Sequence, residues 1–357
     1  KSSDETTTGS QSERTAPVPS GDESSTEALT EKEASSKSRS TTGAPKKRPK
    51  SEITVYGATS FVAKHALDYF MQTSLSIPGI RTITLAGRNG GKLRDLRETL
   101  TQKMSNLHMV TKKAKGKCSF DFFVAECDDI EDLQTMASGT KLVLNFAGPY
   151  TLYGEQVVAA CAKAGTDYID ITGEISWAGE MREKHGNDAK ESGARIISLC
   201  GFDSIPSDLA IFAAIEALKK KSNRRHIEFD SGTCWHYIQG GGVNGGTVQS
   251  VMNCPIKFLH CFRRWVPFLV DDPLVLTHPQ TRDHPSMQKL KNRMAKAEWL
   301  NQLPSIDSIL IFGVSAPFAM APVNAKVVQA SAVALKYGSS FTYRDRILPV
   351  GFAMTRK

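Results

Sequence analysis

The sequence predicts an α/β protein in which a doubly wound, parallel β-sheet is followed by a second, smaller α/β domain. Three observations support this prediction. Short β-branched runs alternate with amphipathic helical stretches from Glu52 to Leu199, and a glycine follows the first run directly. After Cys200 this alternation stops, and a long helical stretch and a strand of different pattern follow.

The first domain is read as six strands with intervening helices. Because each short apolar run is followed by a helical stretch, consecutive strands are expected to be parallel and joined by right-handed crossovers. The predicted strands cover residues 53–56, 81–86, 120–126, 141–146, 168–171 and 195–199, and the predicted helices cover residues 60–73, 90–104, 155–164 and 177–191.

The second domain begins with a long helix that Ser204, Pro206 and Asp208 open, since serine, proline and aspartate favour the first turn of a helix. Residues 226–240 alternate like a strand of another sheet. We therefore assign residues 51–203 to the first domain and residues 204–357 to the second, a substrate or dimerisation domain. As an alternative, the C-terminal part of residues 204–357 returns to the first domain.

Residues 1–50 are expected to be a disordered tail. They contain no Phe, Trp, Tyr, Ile, Met or Cys, and Val18 and Leu29 are their only large apolar residues. Such a segment cannot bury enough surface to offset its ordering entropy. The tail has nine basic and eight acidic residues, so +1 of the net charge of +8 lies there and +7 in the body.

Composition excludes several classes of protein. The seven cysteines are scattered without a CxxC pair, which argues against a disulfide scaffold and a metal site and favours a reducing compartment. The best apolar run, 309–323, is broken by Pro317 and Pro322 and is too short to span a bilayer. The basic cluster 44–50 is read as a solvated linker, and a nuclear address and a nucleic-acid arm are the alternatives. No nucleic-acid motif accompanies it. No nucleic-acid partner is expected.

The turn at 57–63 has the position of a dinucleotide-binding fingerprint in a Rossmann-type domain. Gly57 supplies the tight turn and Ala63 the small residue for helix–strand packing, whereas Ser60 stands where glycine is usual. Its Cβ would crowd a pyrophosphate, or its hydroxyl would donate to a phosphate oxygen. We predict a cofactor at this helix N-terminus, the alternative being a turn that binds none. The predicted binding residues here are Gly57, Ala58, Thr59, Ser60, Phe61 and Val62.

The second strand favours NADP over NAD. An NAD site needs a carboxylate at its end for the ribose 2′-hydroxyl, but the sequence has Arg88 there and Lys92 a turn later. A guanidinium suits a 2′-phosphate. The alternatives are an ordinary surface arginine and an NAD site.

Further cofactor contacts are expected after the third and fourth strands. Asp128 is placed to meet the adenine edge or, alternatively, to cap the next helix. Asn145, Gly148 and Pro149 follow the fourth strand, where small residues let a nicotinamide ribose approach the backbone; a simple turn is the alternative.

Five short motifs lie between residues 57 and 208. They are GATSF at 57–61, AGR at 86–88, NxxGPYxxYGE at 145–155, YxDxxGE at 168–174 and GFDSIPSD at 201–208. Together they resemble the saccharopine dehydrogenase-like oxidoreductases, which include the bacterial trans-acting enoyl reductases. The resemblance continues more loosely through 241–247 and 325–328. Family members usually carry glycine at the positions of Ser60 and Ala63.

The resemblance implies an NADP-dependent oxidoreductase, and we expect a lipid-type enoyl substrate. A saccharopine-type amino-acid dehydrogenase and an NADP-binding protein on lipid surfaces without turnover are the alternatives. Eukaryotic relatives are associated with lipid droplets and membranes. We therefore expect an intracellular protein that is cytoplasmic or peripheral to membranes or lipid droplets; a mitochondrial location and a homodimer are left open.

Three residues are the candidates for proton transfer. Tyr153 follows strand four, Glu174 strand five and Ser204 strand six, and all three are expected at the edge where a cofactor binds. Packing of Tyr153 and helix capping by Ser204 are the alternatives. His236 stands alone in the sequence and is read as structural. The stretch 258–268 mixes aromatics with arginines and is read as a domain-interface helix, with contact to an anionic membrane as the alternative.

Overall fold

A computed structural model describes residues 51–73, 80–111, 118–222, 227–236, 272–301, 305–306, 314–318 and 320–347. Its first sheet has six strands in the order β3-β2-β1-β4-β5-β6, all parallel. This is the doubly wound order of a Rossmann fold, so the predicted fold class is confirmed. The strands are β1 Ser51–Tyr56, β2 Thr82–Gly87, β3 Ser119–Val124, β4 Thr140–Asn145, β5 Asp167–Asp170 and β6 Ile196–Ile197.

Helices cover both faces of this sheet, and each face has its own apolar core. One core contains Leu67, Leu85 and Leu93, and the other contains Val143, Val157 and Met181. Burial on both faces explains why the strands read as continuous apolar runs. The helices are α1 Phe61–Thr73, α2 Gly90–Thr111, α3 Ile130–Ser138, α4 Tyr150–Tyr153, α5 Glu155–Ala164 and α6 Ile175–Ser192.

Two elements differ from the sequence prediction for local reasons. Helix α3 was not predicted, although its acidic first turn is typical of a helix start. Asp129 caps it by accepting from the N–H of Asp132 at 3.0 Å. Strand β6 has only two of the five predicted residues. It ends early because Leu199 has a left-handed backbone, with φ 65°.

A second sheet follows, in the order β7-β10-β9-β8. Strand β7 pairs parallel to β10, and β9 pairs antiparallel to β10 and to β8. Its elements are α7 Ile205–Lys221, β7 Ser231–His236, α8 Pro279–Arg282, α9 Gln288–Asn301, β8 Ser305–Ile306, β9 Val314–Pro317, α10 Ala321–Ala334 and β10 Thr342–Ile347.

Helix α10 connects the two sheets. Its Val328 packs with Ile211 of α7 in the core of the second sheet, whereas Val323 and Val327 contact the core of the first. The opposite faces of one helix thus hold the second sheet against the first. The predicted tail, the region 241–247 of the looser family resemblance and the stretch 258–268 lie outside the described residues. Within the described part, none of the helices combines the length and apolarity needed to cross a bilayer.

Candidate functional site

The turn after β1 approaches the backbone of the neighbouring strand closely. Gly57 has φ +71°, and a Cβ placed on it would lie 2.8 Å from the Ala147 nitrogen and 2.9 Å from the Phe146 carbonyl carbon. Only glycine fits such a position without movement of backbone. The N–H of Ala58 donates to the Ala86 carbonyl at 3.1 Å, which ties the turn to β2 as well. The turn is therefore fixed between β2 and β4.

Ser60 closes the start of α1. Its hydroxyl oxygen accepts from the N–H of Ala63 at 3.2 Å, as an N-cap does. The N–H groups of a first helical turn lack intrahelical acceptors, and the Ser60 side chain engages only the one on Ala63. Those of Phe61 and Val62 remain to face an anion, where the helix dipole favours negative charge. Gly57 and the first turn of α1 therefore fit a pyrophosphate, with Ser60 as a cap.

The end of β2 places basic side chains near this turn. Arg88 is exposed directly after β2, and Asn89 caps α2 by accepting from the Lys92 N–H at 3.0 Å. A cleft between α1 and α2 reaches Thr59 and Lys92, and Lys64 also lines it. Arg88 is outside the lining of this cleft. The structure thus brings the predicted Thr59 and Lys92 together in one cleft and leaves Arg88 exposed outside its lining.

Asp128 is exposed after β3, and the capping alternative considered for it is wrong. The cap of α3 is the next residue, Asp129, because only its side chain bonds the first turn. The adenine contact stays a prediction for Asp128.

Asn145 ends β4 and is 1% exposed. Its Nδ2 donates to the Tyr168 hydroxyl at 3.0 Å, and its Oδ1 accepts from the Ala147 N–H at 2.8 Å. The Tyr150 hydroxyl donates to the Asn145 carbonyl at 2.9 Å. These contacts hold the loop that carries Gly148 and Pro149 above the sheet edge. The Asn145 amide is therefore committed to this loop, while Gly148 is exposed.

Glu174 braces the same loop from β5. One carboxylate oxygen accepts from the Tyr150 N–H at 2.9 Å, and the other accepts from the Thr151 N–H at 2.8 Å and from the Thr151 hydroxyl. A carboxylate at a helix N-terminus is favourable, and here it serves the first turn of α4. Both oxygens are thus engaged, whereas the predicted candidate Tyr153 is half-buried on the same helix.

Ser204 precedes α7 and does not cap it with its side chain. It is 1% exposed, and its hydroxyl has no hydrogen-bond partner among the residues that the structure describes. Buried hydroxyls are nearly always bonded, so this group suits a ligand or a water. Asp208, in the first turn, accepts from the Ser331 hydroxyl at 3.1 Å, and burial raises the pKa of its carboxyl.

Asp170 ends β5 and is fully buried. It accepts from the N–H groups of Thr172 at 3.0 Å and Leu199 at 3.1 Å, and from the Ser198 hydroxyl at 2.9 Å. Burial nevertheless raises its pKa. This carboxyl joins the ends of β5 and β6, which makes it a structural member of the edge.

Sequence reasoning missed a polar cluster on the second sheet. His236 Nε2 lies 2.5 Å from Asp345 Oδ1 and 3.3 Å from the Ser207 oxygen. Cys234 shares the strand face with His236, and its sulfur, the imidazole and the Asp345 carboxylate lie within 4.8 Å of one another. His236 is therefore not a lone histidine. The parallel register that opposes Cys234 to Asp345 brings the group together, and no short-range motif signals it.

Comparison with known proteins identifies the first sheet. Residues 53–197 match the family model for the saccharopine dehydrogenase NADP binding domain. A trans-acting enoyl reductase of Mycobacterium tuberculosis is 29% identical over 312 residues, which cover 82% of this chain and 64% of that protein. A lipid droplet localized protein of Caenorhabditis elegans is 34% identical over 209 residues, covering 56% of this chain and 44% of that protein. The chain thus spans less than two thirds of these relatives.

Among solved structures, saccharopine dehydrogenase (L-Glu forming) from Saccharomyces cerevisiae is similar, with 15% identity and a TM-score of 0.32. The alignment covers 48% of this chain and 32% of the yeast protein. The family model spans β1 to β6, the same strands whose order defines the fold. Residues 53–197 therefore match the saccharopine dehydrogenase NADP binding domain over the whole of the first sheet, which confirms the resemblance found in the sequence.

Proposed function

We propose that the chain is an NADP-dependent oxidoreductase that reduces a lipid-type enoyl substrate. The observation that supports it best is the junction of β1 and α1. There Gly57 leaves no room for a side chain, and α1 begins with backbone N–H groups that, as in any first helical turn, have no acceptor within the helix. That junction lies within the residues that match an NADP-binding family.

In this proposal each predicted group has one task toward the cofactor. The N–H groups of Phe61 and Val62 bind the pyrophosphate, and Arg88 and Lys92 meet the 2′-phosphate. The loop held by Glu174 lets the nicotinamide ribose lie against the backbone. The bound nicotinamide supplies hydride chemistry, and the protein supplies position and a proton.

The enoyl substrate is proposed from the relatives. The similarity to the trans-acting enoyl reductase covers 82% of this chain, which is more than the first sheet and its helices contain, and the similarity to the lipid droplet localized protein covers 56%. A lipid-like chain also suits the exposed apolar side chains beside the edge, Phe202 and Leu209 on either side of the α7 start.

Cofactor titration tests the NADP half of the proposal. Binding of NADPH and NADH to the purified chain is followed by nicotinamide fluorescence, with Arg88→Ala as the test variant. Loss of a charge-assisted bond costs about 1.5–3 kcal/mol, so the Kd for NADPH should rise about tenfold to a hundredfold. Arg81→Ala is the matched control, since Arg81 is exposed beside the opposite end of β2. Tighter binding of NADH by the unaltered chain would refute the preference.

Substrate choice is tested by NADPH oxidation with crotonyl-CoA, with a long-chain enoyl-CoA and, in the reverse sense, by NADP reduction with saccharopine. Turnover of the enoyl thioesters supports the proposal, and turnover of saccharopine supports the amino-acid dehydrogenase instead. NADPH binding without any turnover would favour a cofactor-binding protein. The engagement of both Glu174 oxygens is the observation that favours this last candidate.

A further inference from the structure

The polar cluster around His236 is built from four elements. The imidazole belongs to β7, its carboxylate partner Asp345 to β10, Ser207 to α7 and Asn324 to α10. Asn324 Nδ2 donates to the Ser207 oxygen at 3.1 Å and to Asp345 Oδ2 at 2.5 Å. Asp345 and Asn324 are fully buried. A buried carboxylate is stable only when it is paired and hydrogen bonded, so His236 pairs with the charge of Asp345 while the Asn324 amide donates to its second oxygen.

Asp345 determines which nitrogen of the His236 imidazole can exchange a proton. Its carboxylate binds Nε2, at 2.5 Å, so this nitrogen carries a hydrogen directed at the oxygen. Nδ1 is then the nitrogen that can exchange a proton with another molecule. Phe318 stacks on the ring, with centroids 4.1 Å apart and planes at 17°, which fixes its orientation. The side chain keeps 16% of its surface exposed.

The charge of the imidazole follows from its neighbours. The hydrogen bond with Asp345 raises the pKa of His236 to about 9, so the ring is an imidazolium at neutral pH. Cys234 on β7 also hydrogen bonds the imidazole and raises the same pKa, and Tyr343 on β10 interacts with both Cys234 and Asp345. Helix α10 contributes the neutral Asn324. The ring thus combines a transferable proton with a fixed orientation.

The path of the chain and one side-chain contact connect the cluster with the edge of the first sheet. Ser207 lies in the first turn of α7, which begins at Ile205, eight residues after β6 ends at Ile197. Phe318, which stacks on the imidazole, lies two residues before Met320, and the Met320 Cε is 3.8 Å from a Cβ position on Gly173. Gly173 precedes Glu174, which holds the loop that carries Gly148. The stacking partner of His236 is therefore two residues away from a side chain that contacts the edge of the first sheet.

We propose that His236 is the proton donor of the reduction and that Asp345 is the residue that positions it. This inference rests on the proposed function. Reduction of a polarised double bond adds a hydride to one carbon and a proton to the other, and the π electrons form the bond to the proton. His236 gives up its Nδ1 proton in this step. The neutral ring stays hydrogen bonded to Asp345 and regains a proton from solvent.

The first test is His236→Gln, whose amide keeps a donor for Asp345 but has no proton to transfer. With crotonyl-CoA and NADPH we expect kcat to fall about 10²- to 10⁴-fold, the range typical of general acid catalysis, while the Kd for NADPH and the KM stay unchanged. His278→Gln is the control, because His278 is exposed at the start of α8. A kcat within twofold of the unaltered chain would overturn the inference and leave the proposed function standing.

The second test needs no turnover. In the cofactor-free protein, the imidazole resonance that is absent from the His236→Gln spectrum should titrate near pH 9, and Asp345→Asn should move it toward 6.5. A titration near 6.5 in the unaltered chain would overturn the inference. So would one equivalent of zinc in the purified protein that His236→Gln abolishes, since Cys234, His236 and Asp345 would then be metal ligands. Absence of NADPH binding would instead overturn the proposed function itself.

Discussion

Replacing Gly57 with alanine tests the geometry on which the cofactor site depends. The added Cβ meets two obstacles, a backbone at φ +71° and the Ala147 nitrogen at 2.8 Å. Each has a separate cost. A left-handed backbone costs an L-residue about 1–2 kcal/mol, and forcing an atom into a packed site costs about 1–3 kcal/mol.

A second glycine separates these two costs. Gly193, after α6, has φ +83°, but a Cβ there would meet no atom within 4 Å. Gly193→Ala therefore has only the conformational cost, offset by about 0.4–1 kcal/mol from the stiffer unfolded chain. We expect a loss of about 0.5–1 kcal/mol for Gly193→Ala and about 2–4 kcal/mol for Gly57→Ala.

Urea unfolding at constant m-value measures both losses, and NADPH titration of each folded variant measures the effect on the site. Gly57→Ala should also weaken NADPH binding, because relief of the clash moves the turn that begins α1. Gly193→Ala should bind NADPH normally. Equal losses of stability for the two variants would refute the close approach of Gly57 to β4.

Three further predictions concern buried polar groups. Lys326 and Glu298 form a buried pair at 2.7 Å, so Lys326→Met alone should cost about 3–5 kcal/mol in urea unfolding, and replacing Glu298 as well should restore part of it. Ser204→Ala should leave stability unchanged or raise it, whereas Ser207→Ala should lower it. Among the residues that the structure describes, the Ser207 hydroxyl has hydrogen-bond partners and the Ser204 hydroxyl has none. Because the pKa of His236 is raised in the folded protein, the protonated ring stabilises the fold fully below pH 6.5. The free energy of unfolding should therefore fall as pH rises through about 9, and His236→Gln should reduce that fall.

The periodicity of the sequence was sufficient to predict the six strands of the first sheet. The predicted helix at 155–164 has the observed bounds of α5, since an acidic residue starts it and Gly165 ends it with φ 72°. The strand at 195–199 was predicted too long, because its apolar run continues past the point where Leu199 turns left-handed. Composition could not indicate that turn, which depends on the Asp170 carboxylate holding the Leu199 N–H.

For the site, the sequence located residues better than it assigned their roles. Ser60 was identified as a departure from the fingerprint, yet its action as a cap depends on where the Ala63 N–H points. Glu174 was identified as an acid, yet its position 24 residues after Tyr150 gives no sign that it braces α4. His236 and Asp345 are 109 residues apart, so only the pairing of β7 with β10 reveals them as neighbours.

The roles proposed for the two sheets differ because their polar side chains form hydrogen bonds with different partners. On the first sheet, the side chains of Asn145, Asp170 and Glu174 form hydrogen bonds with backbone N–H groups and hydroxyls at the edge of the same sheet. A carboxylate committed in this way rigidifies the loop that must approach a cofactor, but giving up its contacts to move a proton would release that loop. In the proposed reduction, the proton is more readily supplied by a group whose orientation is fixed by a partner outside the candidate cofactor loop. Of the residues that the structure describes, His236 meets that condition, because Asp345 holds one nitrogen and leaves the other for exchange.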